Sequence, residues 1–306
     1  MSTEAHGSIS AGLTFSKKKT GQQVRYQRKQ ADVFTDTRAD VRDIYRLALC
    51  CWNNKTDEQR DVFNQVTIDQ NLHITGWNYF LKLAYNNPLT YLGLLCYWSM
   101  NVQNGASVKD LSKNGYTGTL KPTYPGDCPV YAASKNDKLF TCLDFDGTDD
   151  YVSFASLPAS GYLSASFWYS TTSIATANQG FLHHGTSGNF RFYWFKQGVN
   201  DWQLYMFDSV GGKSYRYRNV TPIGTGAWTN DVLVFRVSDK KVLWYRNGAL
   251  IGTLTSDYNV AILASTVFQL GRYGTSQSFD GLIDEVSLWD RILSAAEILS
   301  LYDCFK

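Results

Sequence analysis

Near Pro88 the hydrophobic period of the chain changes, and that change limits the possible folds more than any other feature. Before it, apolar residues recur at helical spacing. Val41, Ile44, Tyr45, Leu47, Ala48 and Cys51 follow an N-capping group at Thr35, Asp36 or Thr37. A second start lies at Thr56, where Gln59 three residues on completes a capping box leading into Val62, Phe63, Val66 and Ile68. Trp77, Phe80, Leu81 and Ala84 form a third short amphipathic helix, closed by Asn86, Asn87 and Pro88. Three short helices in about fifty residues bury little on their own, so this segment is expected to lean on a neighbour or an oligomer partner.

Beyond Pro88 the helical period disappears until the last dozen residues. Strand-like runs such as CLDFDG, LSASFWYST, FRFYWF, WQLYMF, SYRYRNV, DVLVFRV, KVLWYRN and LIDEVSLWD alternate with Gly, Asn, Asp and Ser clusters. About a dozen such strands over roughly 210 residues is what a double-sheet jelly roll needs. The aromatic share of 15% and the 24 glycines lean the same way. The expected fold is therefore mainly β. Its expected divisions are a basic arm or hairpin over residues 1–34, a small three-helix anchoring domain over 35–90 and the jelly roll over 91–306.

The arm, GLTFSKKKTGQQVRYQRK, reads as two short strands around a Lys-Thr-Gly turn, with Leu13 and Phe15 answered by Val24 and Tyr26. Lys17, Lys18, Lys19, Arg25, Arg28 and Lys29 face one acid, Glu4, within the first thirty residues. The whole chain carries only +2, which excludes polyanion binding by bulk electrostatics. The arm also holds too few aromatics for a base-stacking platform. Nucleic acid is thus not the expected partner, and anchoring in an assembly is.

No apolar run approaches the roughly 20 residues of a membrane span. The first thirty residues contain no continuous apolar core of a secretory signal, so synthesis in a cytosol without a signal peptide is expected. The six cysteines (Cys50, Cys51, Cys96, Cys128, Cys142, Cys304) show no CxxC spacing and no nearby histidines, which argues against zinc. Free buried thiols in a reducing compartment are the favoured reading, and a Cys128–Cys142 bridge in an oxidising one is the alternative.

Several motifs in order now carry a resemblance. Tyr97-Trp98 precedes Asp110-Leu111-Ser112-Lys113-Asn114-Gly115 and Gly118-Thr119-Leu120. Leu143-Asp144-Phe145-Asp146-Gly147 runs on to Asp149-Asp150-Tyr151-Val152, and Ser164 to Trp168 follows. Trp228 and the run Val242 to Gly248 come next, then Gly281 to Trp289 and Leu293 to Ile298. From about residue 92 to 303 the chain resembles the laminin-G-like, concanavalin A-like jelly-roll domains. The physics agrees: Asn247-Gly248 suits a tight hairpin needing two positive φ values, and Ser294 with Glu297 is a capping box for a closing helix. More loosely, Arg42, Trp52, Thr56, Glu58-Gln59-Arg60, Trp77-Asn78 and Phe80 resemble segments of phage and environmental virus structural proteins.

The resemblance implies a binding sandwich and one calcium held by carboxylate oxygens, with Asp110, Asp146 and Asp284 at matching positions. Lys113 replaces the family's usual glycine and places a cation in the loop beside that site. The alternative is that these aspartates only cap turns. Sugar binding would rest on exposed aromatics, for which Tyr193, Trp194, Trp202, Tyr205, Tyr215 and Tyr217 are the candidates, against the alternative that they pack in the core. Catalysis is not expected. The adjacent acids Asp284 and Glu285 face opposite sides of a strand, with no second acid two places away, and His6, His73, His183 and His184 lie near no nucleophile set.

The function expected is that of a virion structural protein, a capsid-attached spike, fibre or decoration protein, presenting the sandwich to a host-surface glycan or receptor. Other virion proteins and copies of itself, a trimer included, are the expected partners. A non-viral secreted carbohydrate-binding module and a structural capsid subunit without a ligand are the alternatives.

Overall fold

The computed structural model describes residues 7–10, 13–18, 21–26, 36–86, 92–101, 103–134, 141–155, 157, 162–172, 179–185, 191–196, 201–207, 214–219, 223–236, 238–255, 268–273 and 277–306. The chain divides into two compact units, Met1–Thr35 and Asp36–Lys306. Among the described residues no helix is long and apolar enough to cross a membrane.

The first unit is a three-stranded antiparallel sheet of β1 (Gly7–Ser10), β2 (Leu13–Lys18) and β3 (Gly21–Tyr26). Leu13 pairs with Tyr26 and Phe15 with Val24, as their alternation predicts. Strand β1 is an addition, because its sequence GSIS holds a single apolar residue and gives no period to read. Lys17 and Lys18 belong to β2 and Arg25 to β3, while Lys19, Arg28 and Lys29 lie outside the described residues.

In the second unit, helices α1 (Asp36–Asn53), α2 (Asp57–Asp69) and α3 (Gly76–Asn86) precede the sandwich, and α4 (Ala295–Phe305) follows it. Both expected capping boxes form. Thr56 Oγ1 accepts from the Gln59 amide at 3.3 Å, and Ser294 Oγ accepts from the Glu297 amide at 3.3 Å.

Two eight-stranded antiparallel sheets make the jelly roll. The first runs β17 (Ala249–Thr255), β16 (Lys241–Arg246), β15 (Thr229–Arg236), β10 (Tyr162–Thr171), β21 (Asp280–Trp289), β8 (Thr141–Asp146) and β7 (Val130–Ala133), and β4 (Leu94–Trp98) also pairs with β21. The second runs β14 (Ser214–Asn219), β13 (Trp202–Phe207), β12 (Arg191–Lys196), β11 (Gln179–His184), β18 (Phe268–Leu270), β9 (Tyr151–Phe154), β6 (Gly118–Lys121) and β5 (Ser107–Val108). A separate small hairpin joins β19 (Arg272–Tyr273) to β20 (Gln277–Ser278).

The β16–β17 turn has Asn247 at φ 50° and Gly248 at φ 79°, the two left-handed residues that a tight hairpin requires. Asn247 also accepts the Asn230 amide on its side chain at 2.9 Å. Replacing Asn247 by Val removes that acceptor and puts a β-branched residue in the left-handed region. Urea unfolding should record a loss of about 2 kcal/mol, and an unchanged midpoint would refute this account of the turn.

Alternation along β15 shows how the sequence builds two cores from one strand. Leu233 and Phe235 enter the cluster between the sheets, with Phe145, Phe167, Trp194 and Trp244. Val232 and Val234 face outward and meet Leu47, Phe80, Ile298 and Phe305 of the helices. Each such side chain stabilises the unit by about 1.5–3 kcal/mol through burial. The helices thus complete their apolar faces on the first sheet, and the expected division near residue 90 has no counterpart in the packing.

The buried face of α1 also differs from the expected one. Val41 and Tyr45 are 45% and 43% exposed, whereas Ala39, Asp43, Ile44, Leu47 and Cys50 turn inward. On α2, Val62 and Ile68 are exposed. What turned α1 is a row of charged groups one helical turn apart. Asp40 pairs with Lys109, Asp43 accepts from Asn101 Nδ2 at 3.2 and 3.1 Å, and Arg46 reaches Glu285 at 3.6 Å. Cys50 then joins Cys304 of α4 in a disulfide. Cys128 and Cys142 are thiols, as the favoured reading has it, and the departure from it is the Cys50–Cys304 bridge, which spans 254 residues.

Candidate functional site

The outer face of the second sheet is built by two neighbouring aromatic strands. On β12, Phe192 and Trp194 are fully buried between the sheets, so alternation sends Tyr193 the other way. On β13, Trp202 and Leu204 are buried in the same core, leaving Gln203 and Tyr205 on the outer face. Trp194 and Trp202 stack with ring centroids 4.6 Å apart. As core residues they cannot serve as a sugar platform, which corrects that expectation.

Tyr193 faces outward but is only 4% exposed. Tyr273 of the small hairpin lies over it at 4.1 Å between centroids, and His183 stands beside it at 4.8 Å. Gly180 of β11 makes this approach possible, because a Cβ there would sit 2.1 Å from the Tyr273 backbone nitrogen. Tyr205, directly opposite Tyr193 in register, is half-buried. The β14 backbone places Tyr215 opposite Met206 and Tyr217 opposite Leu204; the side chains of these two tyrosines lie outside the described residues.

Beside Tyr205 sits a polar group that the sequence reading missed. Gln203 pairs with Arg218 across the strands. The Asp201 carboxylate accepts from Gln203 Nε2 at 2.9 Å and from Arg218 Nε at 2.8 Å. Gln203 is fully buried and Asp201 nearly so, while the Arg218 side chain is 59% exposed. The alternating arginines of SYRYRN, opposite WQLYMF, were the available signal.

The three aspartates expected around calcium do not come together. Asp110 accepts from the amides of Tyr97, Ser112 and Tyr116 at 3.1, 2.9 and 2.9 Å and from the Ser112 hydroxyl at 2.9 Å, so it organises its own loop. Lys113 takes the glycine position with φ 66° and donates its ammonium to the Tyr85 carbonyl in the last turn of α3. Asp284 accepts from the Ser134 hydroxyl and from the Glu285 amide. Glu285 is buried at φ 50° and accepts the Tyr97 hydroxyl at 2.5 Å. Glu285, which also meets Arg46 at 3.6 Å, therefore helps to seat α1 on the sandwich.

Asp146 does join other acids, Asp149 and Asp150, with one oxygen of each within 4.8 Å of the others. The three belong to the Asp-Gly-Thr-Asp-Asp turn, a pattern legible in the sequence. A cleft of about 160 Å³ beside them is also lined by Asp127 and Asp144. Burial, with the charges of Asp146, Asp149 and Asp127, pushes the Asp150 carboxyl up to about 6. One oxygen of Asp149 is enclosed without a hydrogen-bond partner among the described residues. An all-oxygen, under-neutralised donor set of this kind fits calcium.

The fold defines the class: a jelly-roll sandwich of the lectin-like kind. Residues 146–299 match the model of the concanavalin A-like lectin/glucanases superfamily, and the chain belongs to that family. None of the curated proteins matches it. Among solved structures it is similar to domain 4 of the extracellular arabinanase of Geobacillus stearothermophilus, solved in complex with arabinotriose. That match has 22% identity and a TM-score of 0.55 over 68% of this chain and 98% of that one. The binding domain of Paraclostridial Mosquitocidal Protein 1 matches at 13% identity and TM-score 0.55, over 69% of this chain and 52% of that one. The botulinum neurotoxin serotype G binding domain matches at 15% and 0.52, over 68% and 50%. At these identities the likeness is one of fold.

Proposed function

We propose that this chain is a glycan-binding module whose ligand lies on the outer face of the second sheet, around Tyr205. One observation carries this reading. The helices cover the first sheet, and among the described residues none of the second sheet belongs to the apolar cluster beneath them. The outer face of the second sheet instead carries the half-buried Tyr205 ring beside the hydrogen-bonded group of Asp201, Gln203 and the exposed Arg218. Its role is binding rather than hydrolysis, since Asp284 and Glu285 are buried in hydrogen bonds to neighbouring elements. A glycan array probed with the chain and with Tyr205→Ala tests it: binding that Tyr205→Ala abolishes supports the reading, and no binding at millimolar levels sinks it.

Calcium at Asp146, Asp149 and Asp150 is part of the proposal. Saturating calcium at pH 7 should raise the thermal midpoint by several degrees, consistent with about 2–3 kcal/mol from ligation at a hundredfold excess over Kd. The shift should vanish in Asp146→Asn/Asp150→Asn and shrink below pH 6, where Asp150 takes up a proton. A parent protein indifferent to calcium would exclude the site.

The finer setting we propose is a virion, with the chain made in the host cytoplasm and anchored among virion proteins and copies of itself, a trimer included. Support comes from the basic arm, a separate three-stranded unit, and from the viral-type motifs in the helices, which are welded to the sandwich. Finding the chain in purified particles, and a trimer by light scattering, is the expected result; a monomer absent from particles would overturn this setting.

A further inference from the structure

We infer that the sugar bound on this face carries a carboxylate, gripped by Arg218. The inference rests on the glycan-binding reading above and names the chemistry of its ligand. Arg218 is fixed at one edge only. Its Nε donates to Asp201, which is in turn held by the fully buried Gln203, so the guanidinium stands on a rigid base. No other hydrogen bond falls on that guanidinium among the described residues, and the side chain is 59% exposed. A guanidinium held through Nε keeps two Nη groups for a second planar acceptor, and a carboxylate matches that fork in a way a hydroxyl does not. In the β14 backbone Arg216 occupies the strand position opposite Tyr205, two residues from Arg218. Tyr205, two residues from Gln203 on the same face of β13 and half-buried, supplies the aromatic ring on which a sugar's apolar face stacks.

The other side of the site is closed. Tyr273 sits on Tyr193, the residue directly opposite Tyr205, so the small hairpin forms a wall one strand away. From that wall to β14 is two strand spacings, about 10 Å. That width admits one sugar ring across the strands.

The test is calorimetry with three probes on one neutral oligosaccharide core: the core alone, the core ended by N-acetylneuraminic acid, and the core ended by glucuronic acid. Methyl esters of the two acids serve as controls. We expect at least one acid-ended probe to bind ten- to a hundredfold more tightly than the core, and its ester to lose that gain. Arg218→Gln should remove the preference while circular dichroism shows the variant still folded, and Arg218→Lys should restore only part of it. Which acid binds distinguishes a sialylated from a uronate-bearing ligand. If the core binds as tightly as the acids and Arg218→Gln changes nothing, the carboxylate inference is overturned while the glycan reading stands. If no probe binds and the glycan array is also blank, both fail.

Discussion

Breaking the Cys50–Cys304 bridge should destabilise the second unit more than any other single change. The closed loop holds 254 residues. Loop-closure entropy alone then amounts to about 5 kcal/mol at 25 °C, an upper figure because real unfolded chains are already compact. The half-cystines lie on α1 and α4, which also share the apolar cluster on the first sheet, so the bond ties two elements that already touch. Urea unfolding of the parent with and without reductant should show the midpoint falling on reduction. Cys50→Ser/Cys304→Ser should start at the reduced value and ignore reductant. Thiol titration of the unfolded, unreduced parent should find Cys51, Cys96, Cys128 and Cys142 free. An identical midpoint in both redox states would disprove the link.

The second large effect is a pair of opposing pH dependences. His184 is fully buried against Phe192, ring centroids 5.3 Å apart, and neither ring nitrogen has a partner among the described residues. Burial pulls it down to about 4, and His183 adds to the shift. The unfolded chain therefore takes up a proton below about 6.5 that the folded one refuses. Stability from this site is complete above that pH and is lost toward 4, about 3 kcal/mol in all.

Asp43 has the opposite sign. Burial on the inner face of α1 pushes it up to about 6, against the lowering hydrogen bonds of Ser99 and Asn101 and the charge of Arg46, while Asp40 raises it further. Its contribution is fully present below about 4 and is lost as pH rises through 6, again about 3 kcal/mol. The two nearly cancel in the parent, so single variants separate them. Relative to the parent, His184→Phe should gain about 3 kcal/mol more at pH 4 than at pH 7, and Asp43→Asn about 3 kcal/mol more at pH 7 than at pH 4. Flat differences for both would mean that neither group titrates in this range. Hydrogen exchange should place the Asp43 effect in α1 and the His184 effect in β11 and β12.

Much of the fold was legible because the strands are long and rich in aromatic and β-branched residues. WQLYMF, DVLVFRV and LIDEVSLWD announce themselves by period and composition. Which of two faces is the core was not legible in FRFYWF, since both alternating sets there are aromatic. The register with β11 and β13 decides it, and that is tertiary information. The buried side of α1 was misread for a related reason. Val41 and Tyr45 are more apolar than Asp43, yet Asp43 has Asn101 waiting on the sandwich and they have no such seat. Strands of two to four residues, such as β5, β7, β19 and β20, are too short for any period. The Asp201–Gln203–Arg218 group needed two strands to be laid side by side before it could be seen.

The bond between α1 and α4 has a mechanical consequence as well. A pull that enters at residue 36 and leaves at residue 306 runs along α1 to Cys50, crosses to Cys304 and exits through α4. The sandwich lies inside the bypassed loop, so the covalent path of the load does not run through its strands. While the bridge is intact, tension along that line can straighten the two helices but cannot peel a strand from either sheet, so a ligand held on the second sheet would stay on an undistorted surface under shear.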